Sequence, residues 1–499
     1  MRISKKILAA MLVAAVFALV ACNGDVGDAG RPGAEGDSAQ ENGGGGTEEQ
    51  VAAEVPFPHE LRHFGGETFR ILIDRQWDGN HLDIEDFCVE ELTGDVMNDA
   101  YFTRNALIYE RYGISLEGVR VDDVTGVLSR TVRAGMDEYD AVAPRLMNAG
   151  TFAMRGYGVN VLDTILSLDA PWWDSNIIAD TSIAGAAYMI AGDLFIKHWD
   201  GIAMLMFNKR LLADLGLGCP YTLVENNEWT FDSFNEMVRQ GSRDLTGDGT
   251  TGGRWDQHGF NTQLDFMTSM INAAGERIVS KDADDLPFFT GYSARMVQII
   301  DKILEVYIDY TYCRHRDGYD RDGGGGEPVH LWIFPEGRAL FYWGFPRFIG
   351  LGLRDMEDDF GILPLPKWDS NQERFYATLN NWHSYTFMIP RSVTDVERNA
   401  FILDAMAYHG RRIIVPAYYD ITLQRRYTRD EESSAMLDII FASTVYDLGT
   451  VFGIGGWIGL IEGDVRNHRN NLTSHFERNE DRIARDLDRL IEQFLEHMY

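Results

Sequence analysis

Asp244-Leu245-Thr246-Gly247-Asp248-Gly249, with Asp256 further on, places side-chain oxygens at alternate positions and then a glycine for a sharp turn. That is the first half of a calcium-loop pattern, and Asp244, Thr246, Asp248 and Asp256 would be ligands of a structural Ca2+. The twelfth position, where the pattern expects an acid, is Trp255, and Asp256 falls one residue late. An inserted glycine in Thr251-Gly252-Gly253 would absorb the offset, and an acidic turn without an ion is the other reading. A second set follows apolar runs: Arg75, Gln76 and Trp77 after one, Pro144 and Arg145 after another, Asp193 after a third. If those runs are strands of an open α/β sheet, their carboxyl ends are where ligand contacts gather. Trp77 leads this set, with packing on a surface loop as its alternative role.

Few motifs of catalysis are present. The sequence has no Gly-x-Ser-x-Gly elbow and no Gly-x-x-x-x-Gly-Lys loop, and its one His-Glu-x-x-His match, His59-Glu60-Leu61-Arg62-His63, lies between Pro58 and Gly65-Gly66 without the apolar periodicity of a helix. Gly453-Ile454-Gly455-Gly456 lacks the strand-to-helix setting of a dinucleotide site. The enzymatic rival is a glycoside hydrolase, because 77 acidic residues could supply a general acid and a nucleophile without leaving a motif. Net charge −32 over 499 residues would repel phosphate backbones, so nucleic acid is not expected as a partner. The 11 Trp, 21 Tyr and 27 Phe exceed what a core requires, which leaves rings to face a ligand.

The first segment supplies an address. Arg2, Lys5 and Lys6 precede an apolar run from Ile7 to Val20, too short for a comfortable membrane span and patterned as a secretory signal over 1–21. Its end, Leu19-Val20-Ala21-Cys22, resembles the lipobox of bacterial lipoproteins, which implies lipidation of Cys22 and anchorage at the outer face of the cytoplasmic membrane. A body this acidic would not adsorb to an anionic leaflet by charge, so a covalent lipid is a sensible way to hold it there. Residues 22–55 carry nine Gly, eight acids and no aromatic residue, the composition of a disordered tether. Cys88, Cys219 and Cys313 remain at irregular spacing, so either one pair bridges or all three are buried thiols.

Past residue 55 the chain reads as alternating strand and helix. Phe69–Ile73 is a predicted strand, Val96–Tyr112 a helix stopped by Gly113, and Ile114–Val121 the next strand. Asp140–Ala143 and Tyr188–Asp193 read as further strands, and Ala203–Phe207 as a strand that runs into a short helix closed by Gly216. Thr230 caps a helix ending at Gly241, Thr394 with Glu397 forms a capping box for a helix reaching about His409, and Thr473–Tyr499 is amphipathic. Trp172 and Trp173, if extended, would point in opposite directions, one into the core and one towards a cleft or the surface.

Four segments in order carry a resemblance to a family: Tyr139–Val142 followed by Gly158–Asp163; Ala203–Leu212; Phe334-Pro335-Glu336-Gly337-Arg338-Ala339-Leu340-Phe341-Tyr342; and Phe360-Gly361-Ile362-Leu363-Pro364-Leu365-Pro366-Lys367. Together they are similar to the extracellular solute-binding proteins of bacterial ABC importers, in the sugar-binding group that includes maltose-type receptors. Pro416–Asp420, Tyr427–Glu432 and Met436–Ile440 look like a subgroup of such lipoproteins in anaerobic Gram-positive bacteria. The resemblance implies an α/β, periplasmic-binding-protein-like (type II) fold, with two lobes joined by crossover strands and a ligand cleft between them. It implies an N-terminal lobe of 56–205 plus 340–382 and a C-terminal lobe of 206–339 plus 383–499. It further implies a carbohydrate ligand, ABC permease subunits as partners, no required cofactor, and Trp199, Asp200, Trp343, Asn381, Trp382 and His383 near the cleft. Asp200 would accept from a sugar hydroxyl, with a solvated loop carboxylate as its alternative. The same body would also serve a tethered sensor or a peptide-binding lipoprotein.

Overall fold

The computed structural model describes residues 55–75, 87–253, 255–307, 311–315, 333–353, 355–419 and 431–497. The expected signal segment, lipidation at Cys22, almost all of the tether, and Gln76 and Trp77 lie outside the described residues.

The first sheet grows from β1 (Glu67–Asp74), an apolar strand buried on both faces as a strand covered on each side by helices must be. Helix α1 (Val96–Tyr112) follows, with the Asp95 carboxylate accepting from the amides of Met97 and Asn98 at its start and Gly113 left-handed (φ 66°) at its end. It returns the chain to β2 (Ile114–Val121), parallel to β1 with Ile71 opposite Gly118. Helix α2 (Val124–Arg133) leads to β3 (Ala141–Ala143), parallel to β1 on its other side, and α3 (Leu146–Met154) follows. After α4 (Ser175–Thr181) the chain crosses into a second sheet.

That sheet begins with β4 (Met204–Asn208) and is filled in by α5 (Lys209–Leu215), α6 (Pro220–Glu225), α7 (Phe231–Gln240), β5 (His258–Thr262) and α8 (Phe266–Ala273). A hairpin of β6 (Val279–Lys281) and β7 (Pro287–Phe289), then α9 (Ala294–Tyr307), β8 (Cys313–His315), β9 (Ala339–Gly344), α10 (Pro346–Gly352) and β10 (Phe360–Leu363) complete it. Its order is β10-β4-β9-β5-β8, with β4 antiparallel to both neighbours and β5 parallel to both of its own. The chain then passes through β11 (Ala377–Thr378), α11 (Val396–Tyr419), α12 (Glu431–Ala442), β12 (Thr444–Val445), α13 (Leu448–Val451), α14 (Trp457–Arg466) and α15 (Leu472–His497).

Three connecting segments run side by side between the sheets. Ile202 pairs with Leu379, Ala203 N–H donates to the Thr378 carbonyl (2.8 Å), and β11 lies parallel to β12. This is the expected crossover hinge.

The expected lobe boundaries need correction. Residues 339–344 and 360–363 belong to the second sheet through β4, whereas 385–390 pair with the first: Val142 faces Met388, Ile190 faces Phe387 and Gly158 faces Pro390. Helix α11 packs on α1, so 384–419 belongs with the first sheet. A strand buried on both faces reads the same in either sheet, and hydrophobicity alone cannot assign it. Tyr188–Asp193 makes only isolated bridges, and Gly192 is pressed so close to the Trp172 carbonyl that a Cβ there would sit 2.2 Å from it. Helix α11 is capped by Asp395, which accepts from Arg398 N–H, and runs ten residues beyond the expected end, through Pro416. No disulfide joins the described cysteines, and Cys219 is exposed.

Trp172 and Trp173 are both buried, against expectation. The backbone turns there instead of extending, so both indole N–H groups converge on Asp404 Oδ1 (2.7 and 2.8 Å). His59 Nε2 (2.7 Å) and the Ser167 amide (3.1 Å) meet the other oxygen. Four donors thereby offset the burial of that carboxylate.

Candidate functional site

The carboxyl ends of β1 and β3 open beside the hinge. Asp74, the last residue of β1, is buried, and its carboxylate accepts from Arg145 Nε (3.0 Å) and Asn148 Nδ2 (2.7 Å). Its backbone carbonyl accepts from the Tyr385 hydroxyl (3.0 Å). Arg145 precedes α3, and its guanidinium sits 5.7 Å from the centre of the Trp382 ring, a cation–π contact. Trp382 is 56% exposed, the one large ring of this cluster open to solvent. It is held by Asn380, whose side-chain oxygen accepts from the amides of Trp382 (2.9 Å) and His383 (3.2 Å) while its Nδ2 donates to Asp265 (3.0 Å).

His383 closes the cluster from the hinge side. Its Nδ1 accepts from Arg347 of α10 and its ring packs on Phe345, both from the second-sheet side. Burial, then the charges of Arg347 and Arg145, push its pKa down to about 3, so it is a neutral acceptor at physiological pH. Asn381 Nδ2 donates to the Thr450 carbonyl (3.3 Å), and its own carbonyl accepts from Met147 N–H. Ser384 Oγ and Thr450 Oγ1 are buried and have no hydrogen-bond partner, and neither does Trp343 Nε1. The arrangement offers an open aromatic face, paired carboxylates and guanidinium groups, and spare hydroxyl capacity, a set that suits a polyhydroxylated solute.

Of the sequence-predicted residues, Arg145, Asn381, Trp382 and His383 meet here. Arg75 lies one residue past Asp74, exposed and paired with Asp122 (3.1 Å). Trp343 is a core residue, packed edge-on against Phe345 and Phe266. Asp200 is a buried, partnered carboxylate and not a solvated one, accepting from Tyr418 (2.9 Å) and Lys197 (3.0 Å). Asp193 and Trp199 line a separate cavity of about 480 Å3 with Arg411, Tyr419, Asp438 and Phe441. Burial pushes the Asp193 carboxyl up to about 6 despite its 3.0 Å contact with Arg411. Sequence reasoning missed Asp74, Asn148, Asn380, Asp265 and Arg347. For Asp74 the signal was one residue away, at the end of the predicted strand.

A buried network fixes the hinge. His198 Nδ1 contacts the Tyr385 carbonyl (3.1 Å) and its Nε2 meets Asp174 (3.3 Å) and the Tyr446 hydroxyl (2.7 Å). Asp174 also accepts from Thr444 of β12 (3.2 Å), which ties the third connecting segment to the first sheet.

The acidic turn uses its oxygens internally. Asp244 accepts from the amides of Gly247 (2.6 Å) and Gly249 (2.8 Å), Asp256 from those of Leu245, Thr246 and Gly253, and Asp248 from Thr250. Among the described residues no group of three or more His, Cys, Asp or Glu is placed to hold a metal ion. An ion would have to displace these amides.

No family model matches the chain, and no curated protein is similar to it in sequence. Solved structures are similar in fold. An ABC substrate-binding protein from Listeria monocytogenes, in complex with cycloalternan, matches with a TM-score of 0.53 at 11% identity, over 85% of this chain and 99% of its own. The cyclic alpha-maltosyl-1,6-maltose binding protein of Arthrobacter globiformis matches at 0.53 and 13%, over 84% and 98%. UgpB from Mycobacterium tuberculosis, in complex with glycerophosphocholine, matches at 0.52 and 14%, over 79% and 96%. The chain therefore has the periplasmic-binding-protein-like fold of ABC-transporter solute-binding proteins, two α/β lobes about a hinge. Two of these three neighbours are named as binding proteins.

Proposed function

We propose that this protein is the substrate-binding lipoprotein of an ABC importer, anchored through Cys22 and delivering a carbohydrate from the interlobe cleft to a membrane permease. The observation that carries the ligand class is the cluster at the end of β1: Trp382 open to solvent against Arg145, beside Asp74, Asn148, Asn381 and His383. An aromatic face stacks on a sugar ring while carboxylates, amides and guanidinium groups pair with its hydroxyls. Arg347 of α10 and His383 meet across the hinge side of the cluster, so a ligand seated there would favour the closed arrangement of the lobes. Arg75, one residue past Asp74, extends the site in this reading. Of the three neighbours described above, one was solved with cycloalternan and one is named for binding cyclic alpha-maltosyl-1,6-maltose, which favours an oligosaccharide.

The test is a thermal-shift screen against mono- and oligosaccharides, with peptides and glycerophosphocholine as controls, followed by chromatography of each hit. A melting point raised by an intact sugar supports the proposal. Conversion of the sugar would make the chain a glycoside hydrolase, and a shift with peptides alone would make it a peptide receptor. Radiolabelled uptake, lost on deletion of the chain, separates an importer from a sensor.

A further inference from the structure

In a chain with 77 acidic and 45 basic residues, an arginine rarely lacks a carboxylate nearby: Arg62 pairs with one, and Arg210 and Arg398 pair with two each. Arg133, Arg155 and Arg391 form no ion pair among the described residues, yet all three line one depression of about 600 Å3 on the first lobe. Arg133 ends α2 and Arg155 follows α3, positions where a helix C-terminus favours a cation. Arg391 belongs to neither helix. Its backbone N–H donates to the Tyr157 carbonyl (2.8 Å), which pins its turn against the other two.

The floor of the depression is built. Gly156 is left-handed (φ 62°), and the His497 ring lies over it so closely that a Cβ would fall 2.6 Å away. His497 Nε2 contacts the Met154 carbonyl (3.2 Å), which brings the end of α15 into the wall. Tyr157 is buried, with its hydroxyl 2.9 Å from Ser129 Oγ. Burial raises that phenol, but hydrogen bonds from Ser129 and Arg155 and the charges of Arg133 and Arg155 outweigh it and bring the pKa below its ordinary value. Three guanidinium groups stand against one lining carboxylate, Glu496.

We propose that this depression binds a phosphate-bearing anion, its oxygens taken by the guanidinium groups of Arg133, Arg155 and Arg391. Guanidinium forks match the oxygens of a phosphate in pairs, and such charge-assisted bonds are about twice as strong as neutral ones. The anion could be a soluble phosphate ester or the headgroup of an anionic lipid, and the two sources share this chemistry. The site is independent of the cluster at Asp74, so it neither requires nor tests the carbohydrate reading.

Calorimetry of the full chain in detergent, with inorganic phosphate and with glycerol 3-phosphate, is one arm of the experiment. Flotation with phosphatidylglycerol vesicles, against phosphatidylcholine vesicles, is the other. The R155Q/R391Q and R133Q variants are compared with R466Q, an exposed arginine elsewhere, after matching melting points establish that each is folded. Binding of either soluble phosphate, weakened about tenfold or more in R155Q/R391Q and unchanged in R466Q, supports a soluble ligand. Flotation with phosphatidylglycerol alone, lost in the same variant, supports the headgroup. Absence of binding in both arms, or binding that R155Q/R391Q and R466Q weaken equally, overturns the proposal.

Discussion

Trp382→Ala is expected to weaken oligosaccharide binding by about 50- to 100-fold while leaving the melting point of the free protein close to that of the wild type. The side chain is 56% exposed, with Arg145 on its ring. An aromatic side chain can bury 150–250 Å2, so a sugar face that covers the open half removes roughly 100 Å2 from water. At about 25 cal/mol/Å2 that contributes about 2.5 kcal/mol, and each 1.4 kcal/mol is about tenfold in Kd. Titration calorimetry with the best saccharide of the screen measures it, alongside Trp199→Ala, which removes a ring from the separate cavity and is expected to change Kd by less than about threefold. If Trp199→Ala abolished binding and Trp382→Ala did not, the ligand would sit in the cavity lined by Asp193 and Arg411, and the reasoning from strand ends would fail.

Asp404→Ala removes the acceptor of two indoles, His59 and the Ser167 amide, and is expected to cost on the order of 3–5 kcal/mol in urea unfolding; a loss below about 1 kcal/mol would show that those donors find other partners. His258, His383 and His409 have folded pKa values pushed down by burial to about 4, 3 and 3. The unfolded chain therefore binds the extra protons, and stability is lost as pH falls from about 6.5 towards 4. Asp193 and Asp447, raised by burial to about 6, act in the opposite direction over the same window. At pH 5 the histidines cost roughly 2 kcal/mol each and the carboxyls return roughly 1.4 each, a net loss of about 3 kcal/mol relative to pH 7. A pH slope of stability that is the same in His409→Gln as in the wild type would contradict this account. Millimolar calcium or a chelator is expected to leave the melting point unchanged, because Asp244 and Asp256 already accept from backbone amides; a rise of several degrees with calcium would mean that the turn reopens around an ion.

Elements whose limits are set by a local signal were legible in the sequence. Gly113 ends one helix in the left-handed conformation and Thr230 caps another, as the sequence pattern predicts, whereas the Asp95 cap was not read and Gly241 ends its helix in a right-handed conformation (φ −75°). Partnership between distant strands was not legible. Ala339–Gly344 and Phe360–Leu363 are apolar on both faces, so nothing in their own residues states that they pair with Met204–Asn208. Residues 385–390 were not recognised as part of the first sheet because they join it through isolated bridges and have no periodic pattern of their own. The site shows the same division. Arg145 was legible as a residue just past a strand end, whereas Asn381, Trp382 and His383 came from the family resemblance alone. Asp265 and Arg347 reach the cluster only because the second lobe folds back towards it, Asp265 through Asn380 and Arg347 through His383. Those contacts join the second lobe to the connecting segment at residues 380–383. Carboxylates are so common in this chain that composition cannot single out Asp265, and its partner Asn380 decides its role.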